Sequence, residues 1–375
     1  MFDTDVATLL GPPLSPRPPH DPASEHRPGL VATGRTGDDG KTHPGLDEEA
    51  SPTHRRDLLT AGALLAAASA TGSPAERAAQ LEHGVYELAA RFEVTPLGEL
   101  VAPVERAWGD AETLLGACLS GGARRDLESV TGWYSFYRGR LASHTGEQHT
   151  ALTFLVLAGQ HADAAGDTLL AGSAAAERSA LAFFAGQFTT SAKIARQALP
   201  GAHAYVRPVL ASQVARASAQ DGDTDSALAA LRTMRVSVWT GGPQPGAGAG
   251  DEKIYEAFSA ATLSYLGQDE DAERHARRSL TLLTESGCHL QLAGTHLALA
   301  RAFLHRSEPD PEQAAAALKN ALTAAEGNGH GRTVTRAAGI YRELAAGPDW
   351  ARLPTVRELG DRLPSRRALP PATSL

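Results

Sequence analysis

The sequence predicts an all-α protein built from stacked helical hairpins, and three observations lead there. Apolar residues make up 42% of the chain and are dominated by Ala and Leu, while aromatics make up only 5%. Ala and Leu favour helices, and the residue types that favour strands are sparse. From Pro74 onward the pattern is almost continuously helical, with short polar breaks such as Gly121-Gly122, Pro200-Gly201 and Asp221-Gly-Asp223. Finally, the chain repeats itself.

The repeat begins at a turn residue and has a small residue five positions on. Gly146 leads to Ala151, Gly186 to Ser191, Gly222 to Ala227 and Gly267 to Ala272, and a fifth copy has Pro309 and Ala314. The starts are 40, 36, 45 and 42 residues apart. Four residues past each small position lie Leu155, Ala195, Leu231, Ala276 and Leu318. Three further on lie Ala158, Ala198, Met234, Ser279 and Ala321. These offsets share one helix face. Each unit therefore reads as helix, tight turn, helix. The turn Gly supplies a left-handed or close-approach conformation, and the small residue lets the two helices approach. A single hairpin cannot bury its apolar face, so neighbours should stack into a solenoid over residues 73–363.

The flanks read differently. Residues 1–54 hold nine Pro and six Gly, and such a segment is expected to be disordered. Residues 55–72 read as a short apolar helix. Arg55-Arg56, the apolar run and Ala68-Ser69-Ala70 resemble a twin-arginine export signal, although it starts far from Met1. Its apolar stretch is too short for a membrane span, which needs ~20 residues. The Gly- and Pro-rich segment 241–250 is expected to be a flexible loop, and 364–375 a disordered tail. Arg352, Arg357, Arg362, Arg366 and Arg367 make a basic, solvated end.

Residues 260–280 are similar to a tetratricopeptide repeat, although the spacing exceeds the ~34 residues of that repeat. A narrower resemblance covers most of 53–363. Arg55-Arg56-Asp57-Leu58-Leu59, Trp133-Tyr-Ser-Phe-Tyr137 with Thr145-Gly-Glu147, Phe184-Ala-Gly-Gln-Phe188 and Tyr265-Leu-Gly267 occur in order. Together they resemble the carboxy-terminal sensor half of bacterial Xre-type helix-turn-helix regulators. The resemblance implies an array that binds a small molecule, peptide or protein controlling a DNA-binding half. Residues 1–52 do not read as a helix-turn-helix domain. That half is expected to be lost, or to lie upstream of a start placed too late. No direct DNA binding by this chain is expected, in keeping with a net charge of −8 and a pI near 6.0.

No G-x-S-x-G, H-E-x-x-H or Walker loop occurs. We expect no enzyme activity, no catalytic residues, no cofactor and no metal site. Asp271 and His275 are four apart, which an ordinary surface contact explains. Cys118 and Cys288 read as small buried apolar residues. The densest aromatic stretch supplies the candidate site: Trp133, Tyr134, Tyr137, Arg138 and Arg140. It reads either as hairpin core or as an aromatic, Arg-edged groove for a peptide or flat ligand, with the arginines facing a carboxylate or phosphate. The expected function is a cytoplasmic regulatory module that binds a protein, peptide or small molecule and does not enter a membrane, with homodimerisation left open. The alternative is an exported repeat protein.

Overall fold

The computed structural model describes residues 73–363, apart from 119–120, 285–287 and 327–330. All described residues belong to Leu64–Leu375, and Met1–Ala63 lies outside them. The segments read as disordered 1–54, helical 55–72 and disordered 364–375 also lie outside the described residues.

The described residues form fourteen α-helices and no strand, in agreement with the predicted all-α class. Consecutive helices pair. The pairs are α1 (Pro74–Phe92) with α2 (Leu97–Ala117), α3 (Gly122–Thr145) with α4 (Gln148–Ala165), and α5 (Thr168–Phe184) with α6 (Phe188–Ala198). Then come α7 (Arg207–Gln220) with α8 (Thr224–Val236), and α9 (Glu252–Tyr265) with α10 (Asp269–Thr284). The last are α11 (His289–His305) with α12 (Pro311–Glu326), and α13 (Gly331–Ala346) with α14 (Pro354–Arg362). None of these helices is long and apolar enough to cross a membrane.

Helix starts follow local chemistry. Ser73 and Glu76 form a reciprocal capping box at α1. Asp167, Asp223 and Asp251 cap α5, α8 and α9 by accepting backbone N–H bonds. The turn glycines behave alike. Gly146, Gly186, Gly222 and Gly267 have φ of 97°, 75°, 81° and 68°. In each case the following residue donates its N–H to the carbonyl five back. Those bonds are Glu147 to Ala142, Gln187 to Ala182, Asp223 to Ser218 and Gln268 to Leu263, all at 2.9–3.0 Å. This is the Schellman closure, which needs a left-handed residue. A Cβ at any of the four would meet nothing within 4 Å. The left-handed backbone, not close approach, is therefore why Gly stands there. Gly166 makes the same closure between α4 and α5. The fifth copy differs: Asp310 N–H reaches back to the Phe303 carbonyl, a wider turn that needs no glycine.

The repeat positions are the packing positions. Of the fifteen residues named above, all but the half-buried Ala198 are buried. The main cores follow chain order. One spans Val85 to Ala174, the next Ala176 to Ala302, and the third Ala260 to Leu363. At the C-terminal end α14 seals the last core with Val356 and Leu359, while Arg362 pairs outward with Glu326.

Candidate functional site

The first helix of each pair touches the first helix of the next, from α1 through α13. Moreover α13 comes into contact with α3. Arg332 of α13 donates to the Ser143 carbonyl and hydroxyl of α3 at this junction. These inner helices surround a cavity of about 410 Å³, lined by residues of all seven and by the 243–251 loop.

One wall is an ion-paired network, although Arg140 Nε, like Arg216 Nε, makes no hydrogen bond. Arg140 Nη2 donates to Glu93 Oε1 at 2.6 Å, and Arg140 Nε lies 3.1 Å from Glu177 Oε1. Arg140 Nη1 donates to the Gly246 carbonyl at 3.3 Å, and the Gly246 N–H donates to the Tyr137 hydroxyl at 3.1 Å. The guanidinium also stacks over Phe92 at 4.3 Å. Burial alone would depress the Arg140 pKa. Glu93 and Glu177 outweigh it and hold the group above its ordinary value.

The segment 241–250, read from sequence as a flexible loop, is held at several points. Trp239 N–H donates to the Gly250 carbonyl at 2.9 Å, which pinches the loop shut at its neck. Pro245, Gly246 and Gly250 are buried. At Gly246, with φ of 141°, a Cβ would lie 2.7 Å from Ser173 Oγ. Only glycine lets this loop tip reach the cavity wall.

A second part of the wall carries Arg216, Arg332 and Arg336 around Phe184 and Tyr265. Arg216 lies over Phe183 at 4.3 Å, Phe184 at 5.0 Å and Phe258 at 5.5 Å. Arg332 and Arg336 lie over Phe184 at 4.2 and 5.6 Å. Arg336 acts on Tyr265 from close by. Arg216 donates to Gln213, while its buried Nε has no hydrogen-bond partner. None of the three has an ion-pair partner among the described residues; Glu177 nearby is engaged by Arg140. Burial, reinforced by Arg336 and Arg332 against the pull of Tyr265 and Glu177, pushes Arg216 down to about 9. Burial likewise pushes Arg332 down to about 10. For Tyr265, burial would raise the pKa, but Arg336, Arg301 and Arg216 prevail and lower it.

The candidate residues from the aromatic stretch separate. Tyr137 and Arg140 line the cavity. Trp133 points elsewhere and donates to Asp167, the cap of α5, at 3.1 Å. Tyr134 donates to the Leu81 carbonyl at 2.8 Å, tying α3 to α1. Arg138 lies over Trp108 and Phe154 and pairs with Glu105 outside the cavity. One stretch thus splits between core and cavity, because successive helical residues point about a quarter-turn apart.

Other expectations also change. Asp271 pairs with Arg274, while His275 contacts Glu256 on the neighbouring helix at 2.5 Å, so the two do not act together. Cys118 and Cys288 are partly exposed rather than buried. The arginine wall escaped the sequence reading, although signals existed. Arg332 and Arg336 are four apart on one helix face, and Arg216 is the one charged residue inside α7 after its first position. Phe184 and Tyr265, quoted above for the family resemblance, both line the cavity. No family model matches this sequence, and no curated protein matches it either.

Proposed function

We propose that this chain is a regulatory binding module: a solenoid of tetratricopeptide-like hairpins that senses a ligand in its central cavity. It corresponds to the sensor half of an Xre-type regulator. The observation that carries the reading is the cavity's construction. Its wall takes residues from the first helix of every pair, so a single bound molecule touches the whole array. Enclosed sites that combine apolar and aromatic side chains with convergent polar groups are where ligands bind. Chain-ordered cores support the solenoid reading, since repeats that contact mainly their neighbours bury their surface this way. A ligand spanning several repeats biases their relative positions, which is how binding would reach a partner protein or DNA-binding half.

Gly294 offers a clean test. It lies on α11 at the cavity wall, and a side chain there would enter open space. Gly294→Phe should fold at least as well as the parent, because Gly is a poor helix former. Native mass spectrometry would follow exposure to a small-molecule extract of the expressing cells. The reading expects a bound mass on the parent that the variant lacks. A bound mass on neither, or equally on both, would overturn it.

A further inference from the structure

Resting on that reading, we infer that the cavity's ligand is an organic anion, its carboxylate or phosphate held by Arg216, Arg332 and Arg336 and its apolar body packed on Phe184, Phe258 and Tyr265. The cavity wall bears five cations: Arg140, Arg216, Lys253, Arg332 and Arg336. Its three carboxylates are Glu93, Glu177 and Asp251. Glu93 and Glu177 are used by Arg140, and Asp251 lies 3.2 Å from Lys253. Three guanidinium groups are left around the Phe184 ring with no carboxylate in ion-pair range among the described residues.

Such an arrangement costs folding free energy. Like charges repel, and a buried charge without a partner is not compensated for lost water. Arg216 is 8% exposed, with its Nε unsatisfied. The rings of Phe183, Phe184 and Phe258 offset part of this, since aromatic faces attract cations. They cannot accept the remaining N–H bonds in the plane of the guanidinium. Arg332 is the second residue of α13, where a cation opposes the helix dipole. An anion in the cavity would supply the opposite charge that Ser143 and Gln213, the neutral partners of Arg332 and Arg216, do not. Guanidinium forks match carboxylate and phosphate geometry. Around this cationic wall the chain as a whole carries a net charge of −8. The positive wall is therefore local.

Two probes with the same ring system separate the possibilities. 8-Anilinonaphthalene-1-sulfonate carries an anion, and N-phenyl-1-naphthylamine does not. Fluorescence titration of the full chain should show saturable binding of both. Arg216→Gln and Arg336→Gln should each weaken the sulfonate roughly tenfold or more and leave the neutral probe unchanged. A merely structural arginine would move both probes together and lower the melting temperature. If Arg216→Gln fails to fold, the half-buried Arg336 carries the test alone. Equal effects on both probes would overturn the anion inference while leaving the cavity reading intact. Failure of both probes to bind the parent, or undiminished binding of both to Gly294→Phe, would remove the cavity reading itself, whereas failure of the sulfonate alone would overturn the anion inference. Competition then identifies the head group. Displacement of the sulfonate by inorganic phosphate but not acetate assigns a phosphate-bearing ligand, and the reverse assigns a carboxylate. Displacement by neither overturns the inference.

Discussion

Two buried arginines face the same cavity and live in opposite surroundings. Arg140 has Glu93 and Glu177 beside it, a loop carbonyl to donate to and an aromatic ring beneath it. Arg216 has aromatic rings and two further arginines. Both are equally hidden from water, so burial does not distinguish them; the partners do. Arg140 is held above its ordinary pKa, and Arg216 is driven below it. The first wall carries its own carboxylates. The second has no carboxylate in ion-pair range among the described residues, and that difference in partners is what the anion proposal rests on.

The largest expected effect tests that contrast directly. Arg140→Met should cost about 3–5 kcal/mol in denaturant unfolding, because it strands two carboxylates inside the protein. Arg216→Met should change stability by less than about 1 kcal/mol, the lost ring contacts being offset by removal of an unpaired charge. Equal losses from the two would erase the comparison.

Next in size is Tyr137→Phe. It removes the hydroxyl that accepts the Gly246 N–H and leaves that buried donor unsatisfied, at a cost of about 1–3 kcal/mol. Faster hydrogen exchange at Gly246 should accompany the loss. An unchanged melting curve would mean that the network wall does not hold the loop.

Anion linkage sharpens the other wall. Phosphate at ten times its dissociation constant should stabilise the parent by about 1.4 kcal/mol. Arg216→Met should gain much less. A common gain in both proteins would indicate a general salt effect and no site.

The smallest effects concern glycines. Gly267→Ala should cost about 1 kcal/mol, purely from its left-handed backbone, since no neighbour opposes a Cβ there. Gly248 in the loop has φ of 107° and equally open surroundings. Gly248→Ala should therefore cost a similar amount, because the loop is anchored and its backbone is not free to relax. A much smaller loss at Gly248 would show a yielding loop and weaken the case for a rigid Arg140 wall.

Much of the fold was legible along the chain. The Gly-to-small spacing located the hairpin turns, and the residues at offsets 0, 4 and 7 are the ones that pack. Helix periodicity is a local property, and a left-handed turn is encoded in the residue that adopts it. The site was legible only in part. Tyr137 and Arg140 stood out because they sit among aromatics, but so did Trp133, Tyr134 and Arg138, which face other helices.

The sequence alone determined helix, turn and repeat, because each depends on residues within one or two turns of one another. It also shows no G-x-S-x-G, H-E-x-x-H or Walker loop. Tertiary structure alone decided which charges are paired. Arg140 meets Glu93 and Glu177 across 47 and 37 residues, and the Gly246 carbonyl across 106. Arg216, Arg332 and Arg336 converge from two helices separated by more than a hundred residues. Whether a buried cation is satisfied depends on distances of a few ångströms between segments remote in the chain, and no local pattern records them.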